Sequence, residues 1–277
     1  MSATTLRSDA ELVPATGHSG FGGLLRSEWT KIRSVRSTAW SLAALVIVGV
    51  GLNTLIVGLT MANWSTTSQS AKLSYAADPT GFLGAVLSFA QVPLCVLAVL
   101  VITSEYTSGT IASSVLAVPR RTPMLAAKAV VFTVVSFVVA EFLAFVSFLI
   151  AQGIIGHRLP ESLRDPANFR AVAGVGLYLA VLGLFSLAIG AIIRHTAAAV
   201  TVVIGIMLVL SGLSELLPGT VGKHVSAYLP ANAGVLITHA HQEAGDLLSP
   251  WQGFGVFCLW TVLLLTVAVV LLRRRDV

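Results

Sequence analysis

A chain of 277 residues in which 56% are hydrophobic and only 10% charged is not a soluble globular domain, since such domains carry about 25% charged residues. Its mean hydropathy of +0.88 marks an integral membrane protein. The net charge of +5 comes from basic residues beside apolar runs, the topology signal of a multi-span chain, so no nucleic-acid partner is expected. Cys95 and Cys258 lie inside apolar runs without the spacing of a thiolate metal site or a disulfide framework.

Residues 1–20 mix Ser, Thr, Ala, Gly and Pro with a few charges and no apolar period, which predicts a disordered tail with no signal peptide. Gly17-His18-Ser19-Gly20 fits the GxSG pattern of intramembrane serine proteases, but no predicted span supplies a His as base. From Phe21 the pattern changes. Phe21, Leu24, Leu25, Glu28, Trp29, Ile32 and Val35 fall in one stripe about 140° wide, flanked by Arg26, Lys31 and Arg33. This predicts an amphipathic helix over residues 21–36 lying in the membrane interface. Glu28 is out of place there, because a carboxylate in an apolar stripe needs a partner.

Six apolar runs follow at about 38–61, 82–102, 124–152, 171–193, 197–217 and 251–272, each long enough to cross roughly 30 Å of hydrocarbon. The predicted fold is therefore an all-α integral membrane protein with six transmembrane helices. The third run is too long for a perpendicular crossing, so it should tilt or emerge at Lys128, whose stem can snorkel. Lys72, Arg158, Arg164, Arg170 and Lys223 fall in the loops of one side, and the remaining twelve of the 17 Lys and Arg on the other, which places both termini in the cytoplasm. Arg194-His195-Thr196 leaves room only for a tight hairpin between spans four and five.

Gly176, Gly183 and Gly190 recur every seven residues in span four and predict a smooth seam for a neighbouring helix. Pro93 predicts a kink in span two. Glu141 lies about 18 Å into span three, where a charged carboxylate costs on the order of 3 kcal/mol. It is either a substrate-pathway or proton-sensing group or a helix–helix hydrogen-bonding group; Asn53, Gln91 and Glu215 are lesser candidates of the same kind. The long segment 218–250 suggests a re-entrant or lid-like loop. On an extended strand its His239, His241 and Glu243 would share a face as metal ligands, against the simpler reading of three solvated side chains.

Neither GxxxxGK[ST] nor HExxH occurs, and no span pairs a nucleophile with a base. Any energy-consuming work would need a partner. The stretch from Thr103 to Pro123 is the polar interruption between spans two and three. Gly109 permits a sharp turn, Thr110 can cap a short helix over residues 111–118, and Pro119 ends it. Ile111, Val115 and Val118 share one face while Leu116 projects to another. A rod so short needs a surface to lie on; the alternative is an ordinary solvated loop.

Glu105-Tyr106-x-x-Gly109-Thr110, followed by Pro119-Arg120-Arg121 and Lys128, resembles the cytoplasmic loop of type 2 ATP-binding-cassette (ABC) exporter permeases. The resemblance extends from about Phe21 to the end, through Leu25-Arg26-Ser27-Glu28-Trp29-Thr30-Lys31, the six spans, and Tyr228-Leu229-Pro230-Ala231-Asn232-Ala233-Gly234 before the last one. It implies a permease in the plasma (inner) membrane that pairs with a second copy of itself, as a homodimer, and with two separate cytoplasmic ATPase subunits. ATP and Mg would be bound by those subunits, with no cofactor and no enzymatic activity in this chain. Glu105, Tyr106, Gly109, Thr110, Val115, Leu116, Pro119, Arg120 and Arg121 would form the ATPase-coupling set, with residues 111–118 as the coupling helix. Glu28, Trp29 and Lys31 would belong to the interfacial entry helix, and Glu141, Asn53 and Gln91 to the pathway of an exported drug, peptide or lipid. Unlike some members, this sequence carries no large outside domain and no fused ATPase. The rival readings are a membrane-embedded hydrolase or transferase, and a membrane anchor or sensor for an ATPase.

Overall fold

The computed structural model describes residues 20–34, 36–70, 72, 79–107, 121–156, 163–214, 216–242 and 245–274. Among these the chain is entirely helical, with no strand. The amphipathic helix α1 (Phe21–Ser34) leads into α2 (Arg36–Ala62); a 3-10 turn at Pro79–Phe82 opens α3 (Leu83–Thr107); then come α4 (Arg121–Ile155) and α5 (Pro166–Ile193). Helix α6 (Thr196–Ser214) contains one π-helical stretch at Gly205–Leu210. Two short helices, α7 (Gly219–Tyr228) and α8 (Pro230–Val235), with a 3-10 turn at Leu236–Thr238, precede α9 (Pro250–Arg274).

Six helices are long and apolar enough to cross a membrane, which fits a multi-pass membrane protein. All six coincide with the apolar runs, and the differences at their ends have local causes. Span two continues to Thr107, so Glu105 and Tyr106 belong to the helix itself. Span four starts earlier, at Pro166, because Asp165 caps it by accepting from Ala167 N at 2.9 Å and Pro166 lacks the N–H that a first turn leaves unused. Span five stops at Ser214, and Pro218 caps α7 instead of prolonging the span. Arg36 belongs to α2 and not to the amphipathic helix, which ends at Ser34.

Helix α5 is the centre of the bundle, packed against α3, α4 and α9. Its most apolar window is 72% buried, against 17% for α6 and 22% for α2 and α9, whose remaining apolar faces point outward. The glycine seam explains how neighbours come so close. A Cβ on Gly176 would overlap the Glu141 carboxyl, one on Gly183 would lie 2.9 Å from Phe132 Cε1, and one on Gly190 would lie 2.6 Å from Ile102 Cγ2. The first two contacts seat α4 and the third seats α3.

The turn from α5 to α6 takes two residues. Arg194 adopts the left-handed conformation (φ 61°) with its N–H on Gly190 O at 2.9 Å, and the His195 ring caps α6 by accepting from Ala198 N at 3.4 Å. At the other end of α5, Arg170 donates to the carbonyls of Ile237, His239 and Ala240 at 3.3, 2.9 and 2.7 Å, which ties the segment before α9 to the start of α5. Helix α3 runs through Pro93 without interruption.

Candidate functional site

Four charged side chains from three helices meet at the α1 end of the bundle. Glu28 and Lys31 lie one turn apart on α1, Glu105 sits in the last turn of α3, and Lys128 in the second turn of α4. Lys31 Nζ donates to Glu28 Oε1 at 2.7 Å and to Glu105 Oε1 at 3.0 Å. Lys128 Nζ donates to Glu28 Oε2 at 2.7 Å and to Glu105 Oε1 at 2.8 Å. Signs alternate around this closed ring of two carboxylates and two ammoniums, and its formal charge is zero. Glu28 and Lys128 are only 4% and 3% exposed, whereas the Lys31 side chain is 45% exposed.

The ring answers the two misplaced charges of the sequence together. Glu28 turns into the bundle because its partner is there; α1 is held against α4 by that pair, and Leu24, Leu25 and Ile32 on the same helix are half-buried. Lys128 does not snorkel as expected: its ammonium lies buried between the carboxylates of Glu28 and Glu105. For Lys31, burial alone would push the pKa down, but the carboxylates of Glu28 and Glu105 outweigh it and hold the pKa above the usual lysine value.

Helix α3 is clamped on its other flank too. The Arg194 guanidinium lies over the Tyr106 ring, 5.1 Å from its centroid, and Thr196 Oγ1 donates to Thr103 Oγ1 at 2.8 Å. The last turn of α3 is thus a junction joined to α1 and α4 by charge and to the α5–α6 turn by stacking and a hydroxyl bond. Glu105 Oε2 is buried without a hydrogen-bond partner among the described residues.

Of the coupling residues expected from sequence, the structure places Glu105 and Tyr106 at this junction and brings Glu105 together with Glu28 and Lys31 of the interfacial set. Trp29 is half-exposed and takes no part in the ring. Gly109, Thr110, Val115, Leu116, Pro119 and Arg120, and with them the whole 111–118 helix, lie outside the described residues, as does the side chain of Arg121, the first residue of α4. Arg194, Thr103 and Thr196 carried no sequence signal as site residues. Lys128 did carry one: a lysine inside an apolar run and a glutamate inside an apolar stripe are complementary anomalies.

The three pathway candidates have separate surroundings, and among the described residues no hydrogen bond joins them. Asn53 is fully buried and donates to Ser147 O at 3.2 Å across α2 and α4; Gln91 Oε1 accepts from Tyr178 Oη at 3.4 Å across α3 and α5. Glu141 lies against Gly176, with Oε2 buried and without a hydrogen-bond partner among the described residues. Glu215 and Glu243 lie outside the described residues; His239 is half-buried and His241 exposed. No three potential metal ligands cluster among the described residues. The sequence matches no protein-family model and no curated protein.

Proposed function

We propose that the chain is the membrane-spanning permease subunit of an ABC exporter of type 2, driven by ATP hydrolysis on separate cytoplasmic subunits. The observation that carries the proposal is the charge ring, because α3 leaves it at Thr107 and α4 begins at Arg121. Residues 108–120 therefore depart from and return to one cross-linked junction. A push delivered to that stretch would reach α1, α3 and α4 through the ring, and α5 and α6 through Tyr106 and Thr196. This is the layout that a coupling helix over residues 111–118 requires: a short docking element backed by a stiff base.

In this reading both termini and the ring are cytoplasmic, in agreement with the Lys and Arg bias, and the chain acts with a second copy of itself. Glu141 lies along the pathway side of α4. The absent phosphate-binding motif is consistent with ATP and Mg being bound by the partner. The test is affinity purification of the full chain from its own membranes in mild detergent, followed by assay of ATP hydrolysis in the eluate. Wild-type eluate should hydrolyse ATP, and a Leu116→Asp chain, whose change lies outside the ring, should lose both the ATPase and the activity while its thermal unfolding stays unchanged. ATP hydrolysis by the chain alone, or full activity with L116D, would overturn the assignment.

A further inference from the structure

The end of the bundle remote from the charge ring holds a cavity of about 560 Å³, between the end of α6, helices α7 and α8, and the segment before α9. The order of the helices fixes its place: α6 starts at Thr196, bonded to the ring-side Thr103, and ends at Ser214 on the cavity wall. Its volume lies within the range of roughly 300–1,000 Å³ typical of small-molecule sites.

Two different walls line it. One is polar and rigid: Asn232 Nδ2 donates to Ser226 Oγ at 2.8 Å, to Ser226 O at 3.0 Å and to Ser214 Oγ at 3.2 Å, while its Oδ1 accepts from Ser211. The other is apolar and includes Leu217 and Leu247, which are 50% and 45% exposed although they face a concave surface. Helix α7 can fold back on the turn after α6 because residue 222 is glycine; a Cβ there would overlap Leu217 O. Lys223, the next residue, lines the cavity, is exposed, and has no ion pair among the described residues. Asp246 also lines the wall but has a partner of its own. Among the described residues Lys223 is therefore the charge of the lining available to a ligand.

We infer that this cavity binds a single-chain amphiphile with an anionic head, the head held by Lys223 beside the Ser214–Ser226–Asn232 wall and the chain laid along Leu217 and Leu247. An uncharged hydrocarbon would leave Lys223 and the hydroxyls unused, and a small polar solute would leave the leucines wet. Leu216 and Val221, next in sequence to the lining residues Leu217 and Gly222, are apolar and exposed. Neither nucleotide nor a partner subunit enters the argument, so the site stands or falls separately from the exporter assignment.

Native mass spectrometry of the full chain, released from neutral detergent and titrated with lysophosphatidylglycerol or lysophosphatidylcholine, tests the inference. The anionic lipid should give one retained adduct at concentrations about tenfold below those needed for the zwitterionic one, a difference of about 1.4 kcal/mol, because only its head carries a net charge for Lys223 to neutralise. Lys223→Gln should abolish that preference, whereas Lys72→Gln, at a lysine that does not line the cavity, should keep it. Ser226→Trp, which fills the cavity, should remove both adducts; K223Q alters an exposed side chain and keeps the test valid should the tryptophan variant not fold. Dodecyl phosphate distinguishes the sources of the ligand: binding equal to the lysolipid assigns the site to anionic amphiphiles generally, and weaker binding assigns it to a phospholipid of the bilayer. Equal retention of both lysolipids, or an undiminished preference in K223Q, would overturn the inference.

Discussion

The two ends of the bundle are tied together by opposite means. At the α1 end, four full charges alternate in a ring that three helices share, two of them almost entirely out of solvent. At the far end, one neutral amide, Asn232, gathers three serines from α6 and α7, and a cavity remains beside it. Such a ring depends on its buried members, since losing Glu28 or Lys128 strands the others in a low-dielectric surrounding, whereas water can take the place of a half-exposed Lys31. A neutral cluster loses its contacts one by one. The first arrangement suits a junction that must move as a unit, and the second a wall that must adapt to what lies against it.

The largest effect should come from Lys128→Met, which removes a ring ammonium while keeping its volume. It should destabilise the chain by about 3–5 kcal/mol, because Glu28 and Glu105 are left with Lys31 alone. Combining it with Glu28→Leu should recover much of that loss in thermal unfolding; a K128M chain as stable as wild type would break the contrast between the two ends. Between the ends, Gly176→Ala drives a Cβ into Glu141 and should cost about 1–3 kcal/mol. A double-mutant cycle with Glu141→Ala should show coupling of at least about 0.5 kcal/mol, and additive costs would mean that the seam does not position that carboxyl. Asn232→Ala should cost on the order of 1 kcal/mol and be indifferent to salt, as unfolding at low and high ionic strength would show. Lys31→Ala, at the half-exposed corner of the ring, should cost only about 0.2–1 kcal/mol, and that cost should shrink in about 1 M salt. A salt-sensitive N232A or a salt-insensitive K31A would erase the distinction drawn here.

What the sequence made legible follows the physics of each feature. Hydropathy placed six spans because burial in hydrocarbon is a property of whole windows, and the seven-residue glycine period announced a seam because a missing Cβ acts locally. Glu28 was legible as a carboxylate in need of a partner, yet its partner was not, because Lys128 lies 100 residues away and only packing of α1 on α4 brings the two together. The same holds for Arg194 over Tyr106: neither residue departs from its local pattern, and their stacking exists only because the α5–α6 turn lands beside the end of α3. Span ends moved where capping decided them, as at Asp165-Pro166, since caps act through one or two backbone groups that a hydropathy window averages away.

Helix α6 spans 19 residues and includes the π-helical stretch, so it reaches at most about 29 Å, whereas the 34-residue apolar stretch of α4 measures about 51 Å. One bilayer must accommodate both within a single small bundle. The long helix can tilt or project into water, whereas beyond the short one exposed Leu216, Leu217, Val221 and Val225 follow on the turn and helix. The two apolar lengths, that of α6 and that of α4, therefore differ by about 22 Å. Lipids with shorter chains fit the first surface better and longer ones the second, so the thickness and composition of the membrane bear on how α6 and α4 sit relative to each other.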